Sequence, residues 1–534
     1  MHVRLLNLIA PDIRAARLCT SLLLTRLLAD ESSALHSPRL TPSALTSMNP
    51  NISRRRFLGQ ASCAAVSSIP ILSTLLNLKL AQDVAAVTAP AAGEYRALVC
   101  LFLSGGNDSF NVLTPFSGPS ATAADSYAEY TASRSNLALV KSADPLANQL
   151  IEIHPLNTPG RTFGMHYKML EVANLFETGK AAFVANVGSL IEPVQNRTQV
   201  AQNSKRLPLG LYSHSDQIEQ WQTSIPHARS GIGWGGRMVD LIKDLNPNQI
   251  VPMQISLDGS NTWQTGNTVA EYAITPTGAT ALAGYDAGWV QYQDVQNAMS
   301  AAVDSQLAQQ YTNLLAQTFN TRKKQALDAY QSFTNASAPA LPGSVTFPAT
   351  YVGSRLQMIA KAIQGRAAMG AVRQTFFVQW GGWDHHDNVL DNQATMLPQV
   401  SAAIGAFFSA LTAIGIADKV TLFTASDFGR TLTSNSRGSD HAWGGNQIVV
   451  GGAVNGRRIF GQYPSLAINP DTGPELNPLD TGRGRFIPTT SCDQFFAELA
   501  LWLGVSASNL PLVLPNIGNF FSTSGSTPPI GFMA

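Results

Sequence analysis

Short apolar runs closed by glycine and an acid recur along this chain. Residues 95–103, 181–188, 375–378 and 419–425 are continuous runs rich in Val, Leu, Phe and Ala. That is the pattern of strands buried on both faces of a parallel sheet. Shorter runs at 252–257 and 447–452 read the same way. Between them the period changes to that of amphipathic helices, at 167–179, 300–335, 353–370 and 397–415. Gly179 and Gly415 stand where C-caps belong. A late helix is expected over 493–503. Strand, helix and strand in alternation predict right-handed crossovers and an α/β fold with a mostly parallel sheet. Residues 117–160 and 262–345 break the pattern and read as insertions, the second as part of a lid or cap. The end, 522–534, is polar and expected to be loose.

The strand ends carry the candidate chemistry. After 375–378 come Gln379-Trp380-Gly381-Gly382-Trp383-Asp384-His385-His386-Asp387, which deliver acids and imidazoles into one glycine-broken loop. After 95–103 come Ser104-Gly105-Gly106-Asn107-Asp108. After 419–425 come Ser426-Asp427-Phe428-Gly429-Arg430, followed shortly by Ser439-Asp440-His441. In open α/β sheets that edge is where ligands bind. Carboxylate and imidazole together suit a divalent cation. The plain alternatives are a polar surface loop at Asp384 and an Asn-Asp turn at Asp108. Ser213 or Ser215 is placed to cap a helix running through Trp221, where N–H groups and the dipole favour anions. Ser213, beside His214, is therefore either a candidate nucleophile or an ordinary cap. His166 has no acid beside it and reads as structural. The glycines at 231–236 lack the spacing of a nucleotide-binding loop.

Composition narrows the class. With 534 residues, 45% hydrophobic and 13% charged, the chain has ample material for a large core. A net charge of +1 argues against a nucleic-acid binder. Seven histidines follow the N-terminal region, and four lie in the acid-bearing motifs above. Two metals about 4 Å apart, bridged by a phosphoryl or sulfuryl oxygen, need acids and imidazoles from several strand ends. Of the four cysteines, Cys19 and Cys63 fall in the N-terminal region. Cys100 and Cys492 read as two buried free thiols, with a disulfide as the alternative.

The N-terminal region looks like an address. Ser53-Arg54-Arg55-Arg56-Phe57-Leu58-Gly59 precedes a moderately apolar run from Ala61 to Leu76, the layout of a twin-arginine export signal. Residues 48–94 are expected to be signal and linker. Met48 is the expected start, with 1–47 upstream of it. The serines, threonine and proline in the apolar run make it a poor permanent membrane span. A periplasmic or secreted location and contact with the twin-arginine export machinery follow.

The motifs Gly-Gly-Asn-Asp, Ser-His-Ser-Asp-Gln, Gly-Gly-Trp-Asp-His-His, Ser-Asp-Phe-Gly-Arg-Thr and Gly-Ser-Asp-His, in that order, resemble those of the domain of unknown function 1501 family. The resemblance covers about residues 95–465. That family is similar to the alkaline phosphatase and sulfatase superfamily. The resemblance implies an alkaline-phosphatase-like three-layer α/β/α sandwich over 95–521, a divalent metal (zinc, calcium, magnesium or manganese) and a hydroxyl nucleophile at a helix start. It places Asp384, His386 and His441 at one metal position, Asp108 and Asp427 at the other, and Ser213 as nucleophile. Arg430 or Arg237 would clamp the oxygens of a small anionic ester. Three departures stand out. Phe428 follows Asp427 where the superfamily often has His. Asp427 stands where the family usually has Glu. His385 sits between Asp384 and His386, which leaves open which imidazole binds, with His214, Asn107 and Asp440 as further donors. The implied activity is hydrolysis of phosphate or sulfate esters; the alternative is a non-catalytic exported binding protein.

Overall fold

The computed structural model describes residues 94–534 apart from 119, 121, 142–149, 286, 287, 289 and 526. The expectations for 1–47 and 48–94 lie, Glu94 apart, outside the described residues. The strands are β1 (Arg96–Leu103), β2 (Leu113–Ser117), β3 (Ile151–Ile153), β4 (Thr162–Met165), β5 (Ala181–Gly188), β6 (Gln254–Ser256), β7 (Tyr272–Ala273), β8 (Arg373–Trp380), β9 (Val420–Ser426), β10 (Gly445–Gly451), β11 (Ile459–Phe460) and β12 (Thr490–Ser491). Nine of them form one sheet in the order β11-β5-β10-β9-β1-β8-β6-β7, with β12 also on β5. All its pairings are parallel except those of β10, which runs against both neighbours.

β1 lies at the centre, so every residue from Ala97 to Leu103 is buried. Its side chains alternate between faces. Ala97, Val99, Leu101 and Leu103 join one core with Val172 and Phe176 of α1 (Leu170–Glu177) and Leu356 of α4 (Tyr351–Gln364). Leu397, Val400 and Ile404 of α5 (Val389–Ile414) complete that layer. On the other face Phe102 meets Phe377, which meets Trp263. Trp234 of α3 (Trp234–Ile242) and Phe495 of α6 (Cys492–Leu503) close over Phe423 there. Helices thus cover both faces, and the expected three-layer α/β/α class is observed.

The topology builds the site edge. β1, β8 and β9 are parallel, so their C-terminal ends share one edge of the sheet. β10 is antiparallel to β9, which brings its N-terminal end, and His441 just before it, to that edge. β5 is antiparallel to β10, so Gly188 also ends there, leading on towards α2 (His214–Thr223).

Three expectations change. The 117–160 insertion carries part of a second, antiparallel sheet, β2-β4-β3, whose strands are too short to show a period. The 262–345 segment is not a detached lid at its start. Trp263 and Gln264 are fully buried and β7 extends the main sheet, before two helices at Gln293–Leu307 and Leu314–Ser337. The 522–534 tail is tied down. Buried Glu498 accepts the N–H groups of Ile530, Gly531 and Met533 at 2.7–2.8 Å, and Phe532 is fully buried. Cys100 and Cys492 are buried free thiols.

Candidate metal centre

Gly105 lets the β1 and β8 loops cross. It has φ +122°, and a Cβ there would lie 2.5 Å from the backbone nitrogen of Asp384. Gly438 does the same beneath the other side of the loop, where a Cβ would meet the His386 carbonyl oxygen at 2.4 Å. Tight backbone contact therefore fixes where Asp384, His385 and His386 point.

Four side chains converge. His441 Nε2 lies 3.1 Å from His214 Nε2 and 2.9 Å from His386 Nε2. Asp384 Oδ1 lies 3.2 Å from His441 Nε2 and 3.1 Å from His386 Nε2, and its Oδ2 lies 3.3 Å from His214 Nε2. His214, Asp384 and His441 offer ligand atoms all within 4.8 Å of one another, and His386 adjoins two of them.

The outer nitrogens are committed. His214 Nδ1 meets Asp427 Oδ2 at 2.7 Å, His386 Nδ1 meets Asp440 Oδ1 at 3.0 Å, and His441 Nδ1 meets the Tyr212 carbonyl at 2.8 Å. Carboxylates and carbonyls accept, so each Nδ1 carries the proton and each Nε2 presents a lone pair. Lone pairs facing one another at about 3 Å repel unless a cation or a shared proton lies between them. The edges of a tetrahedron around zinc are ~3.3–3.4 Å for ligand distances of ~2.0–2.1 Å. The spacings of 2.9–3.3 Å come within a few tenths of an ångström of those edges, and the acceptors behind each ring hold it as a metal-binding imidazole is usually held.

Charges around the cluster follow the same plan. The hydrogen bond to Asp427 raises the His214 pKa against the pull of burial. Burial lowers that of His441 against the pull of its Tyr212 carbonyl hydrogen bond, and the Arg430 charge adds to the lowering. Burial works to raise the Asp384 pKa, but the hydrogen bond and charge of Arg430 outweigh it and hold the group ionised. For Asp440, burial is outweighed by Asn435, His386 and Arg483, which pull the pKa down to about 2. Phe428 packs its ring 4.8 Å from that of His214 and 4.7 Å from that of His441, an apolar back wall to the cluster.

The predicted residues divide into groups. Asp384, His386, His441 and His214 meet at the cluster. Asp427 sits one layer behind: it is fully buried, with Oδ1 accepting Gly105 N–H at 3.0 Å and Oδ2 holding His214. Asp440 is likewise behind His386. Asp108, expected as a ligand, is fully buried and paired with Arg134 at 2.7 Å and Ser439 at 2.9 Å. Among the described residues, its Oδ1 and the Oδ1 of Asn107 meet no protein donor. His385 turns inward and is buried. Between the two imidazoles of that motif, His386 is the one that faces the cluster.

The two expected arginine clamps do other work. Arg430 is fully buried, with Nη1 on Asp384 at 2.5 Å and Nη2 on the Ser439 carbonyl. Arg237 gives its nitrogens to the carbonyls of Val513, Ile232 and Thr223. Neither presents a free edge to an anion. Ser213 is the N-cap of α2 but makes no capping bond; its hydroxyl lies 3.2 Å from Ser215 Oγ. Arg483 and Arg485 were missed. Arg483 holds Asp440 at 2.6 Å and Arg485 donates to the His441 carbonyl at 3.0 Å. Their only sequence signal is the Gly482-Arg483-Gly484-Arg485 alternation inside a loop-rich stretch.

The model of the family described as "Protein of unknown function (DUF1501)" matches residues 95–478. The chain belongs to the DUF1501 family. No curated protein matches it. Among solved structures, Ps i-CgsB is similar at 10% identity and TM-score 0.29, covering 80% of this chain and 77% of that one. The PsFucS1 sulfatase from Pseudoalteromonas sp. is similar at 9% identity and TM-score 0.26, covering 74% and 69%. The lipoteichoic acid synthase LtaP from Listeria monocytogenes is similar at 7% and 0.23, covering 65% and 61%. The DUF1501 match spans β1 to the loop before β12, so every residue of the cluster lies inside it.

Proposed function

We propose that this DUF1501 chain is an exported, metal-dependent hydrolase of phosphate or sulfate esters, with His214, Asp384, His441 and His386 holding the ion. The observation that carries the reading is the set of three imidazoles, each with Nδ1 fixed by an acceptor and Nε2 turned to a shared carboxylate. A bound divalent ion supplies Lewis-acid stabilisation of negative charge developing on an ester oxygen.

The chain's own residues do the rest. Asp427, Asp440 and the Tyr212 carbonyl hold the imidazole tautomers. Arg430 keeps Asp384 ionised and aimed. Phe428 keeps water from the rear of the rings. Ser213 is the proposed nucleophile. Its hydroxyl is not engaged in capping α2, and it stands in the positive field of that helix's N-terminus. Export by the twin-arginine route belongs to the same proposal and rests on residues 53–76.

The test has two stages. Elemental analysis of purified protein is expected to give bound divalent ion, lost in His441→Ala. The loaded protein is then offered aryl phosphates and sulfates, with turnover expected to fall in Ser213→Ala. Metal-free wild-type protein, or hydrolysis untouched by His441→Ala, would overturn the reading. One observation favours a second reading, a non-catalytic binding protein with a single ion: the Ser213 hydroxyl meets neither an imidazole nor a carboxylate. Bound ion without turnover of either ester class would select it.

A further inference from the structure

With Arg430 and Arg237 turned away, the cluster lacks an obvious group to receive an anion. The loop before β12 supplies one. Buried Asp480 accepts the N–H groups of Gly482 and Gly484 on one oxygen, both at 2.8 Å, and a third hydrogen bond, from Asn469 N–H, fixes its other oxygen. Gly482, Arg483 and Gly484 all have positive φ, so the two arginines leave the loop on a tightly determined backbone. Thr481 Oγ donates to the Arg485 carbonyl at 2.8 Å and closes the turn.

The two side chains divide the work. Arg483 is committed to Asp440 and thereby to His386. Arg485 donates through Nε to the His441 carbonyl and lies over the Tyr212 ring, 5.3 Å from its centre. Tyr212 and His441 are themselves joined through the Tyr212 carbonyl. The guanidinium is thus anchored to two residues that build the cluster. Among the described residues, its two terminal nitrogens have no hydrogen bond or ion pair to a protein acceptor. Arg437, an exposed cation on the neighbouring loop, is paired with Asp387 and Asn388.

We propose that Arg485 is the anion-binding residue of this site, offering its free terminal nitrogens to two oxygens of a phosphate or sulfate group that reaches the ion. This rests on the metal-dependent reading above and names the residue that recognises the substrate class. A guanidinium edge matches two oxyanion oxygens, which an ammonium does not. A hydrogen bond to a charged group is worth about 10–100-fold in affinity.

The experiment is calorimetric titration of inorganic phosphate into the zinc-loaded full chain, with zinc content measured on each sample. Arg485→Ala is expected to bind phosphate about 10–100-fold more weakly with zinc content unchanged, and Arg485→Lys to recover part of the loss. Undiminished phosphate affinity in Arg485→Ala overturns the inference alone. So does loss of zinc in that variant, which would make Arg485 a support for His441. Wild-type protein that holds zinc but binds no phosphate overturns it too, whereas wild-type protein that holds no zinc overturns the metal-dependent reading with it.

Discussion

Asp427→Asn tests the architecture of the cluster most directly. The carboxylate accepts two hydrogen bonds in a fully buried position, from Gly105 N–H at 3.0 Å and from His214 Nδ1 at 2.7 Å. An amide has one acceptor oxygen. If that oxygen serves Gly105, the amide NH2 faces His214 Nδ1, which must then accept. The proton then favours Nε2, the atom that faces Asp384 and His441, and the ring must give up that tautomer to ligate. If the oxygen serves His214, the amide N–H groups face the Gly105 N–H and a buried donor is left unmade. That costs ~1–3 kcal/mol. The first orientation costs metal affinity, about 10–100-fold for a changed group behind a metal ligand, or ~1.4–2.7 kcal/mol, whereas the second costs folding stability. Zinc affinity, read by competition with a chromophoric chelator, is expected to fall by that factor in Asp427→Asn and further in His214→Ala. The second variant calibrates the loss of a whole ligand. Wild-type zinc affinity in Asp427→Asn, with unchanged thermal stability, would refute the tautomer argument.

Three further predictions concern the supporting structure. Asp108→Asn leaves buried Arg134 without its counter-charge. The denaturation midpoint is expected to drop by the equivalent of ~3–5 kcal/mol, while the folded fraction keeps its ion; loss of the ion at unchanged stability would make Asp108 a ligand instead. Gly105→Ala forces a side chain onto φ +122° and against the Asp384 nitrogen. It is expected to lower the melting temperature by the equivalent of at least ~1–3 kcal/mol, and a variant melting with the wild type would show that the loop crossing has slack. Burial raises the Asp493 pKa from 3.8 to about 7, against the Ser224 hydrogen bond and the Arg237 charge. The folded state therefore binds the extra proton, and stability falls as pH rises from the unfolded value of 3.8 to about 7, then levels. Asp493→Asn is expected to flatten that slope in melting curves from pH 4 to 8, and an unaltered slope would refute the assignment.

How much of this was legible beforehand depended on the range of the interaction. β1, β5, β8 and β9 were visible because an unbroken apolar run reports burial on both faces. The small sheet was not, because three or four residues carry no measurable period. The tail from Ser522 looked loose because its anchor is Glu498, which composition alone could not link to it.

The chain's own order of residues determined the family, the sheet, and the presence of acids and imidazoles at its strand ends. Each of those is written in local pattern: apolar runs, glycine breaks and fixed short spacings. Tertiary structure alone decided which of those groups meet. Asp108, Asp384 and Asp427 all follow a strand and a glycine turn or precede one, yet Arg134 claims the first, His214 the last, and only Asp384 faces the open cluster. The choice between His385 and His386 has the same origin. A side chain's role here depends on the charge and hydrogen-bond acceptors that fold against it from hundreds of residues away, and no local spacing encodes those.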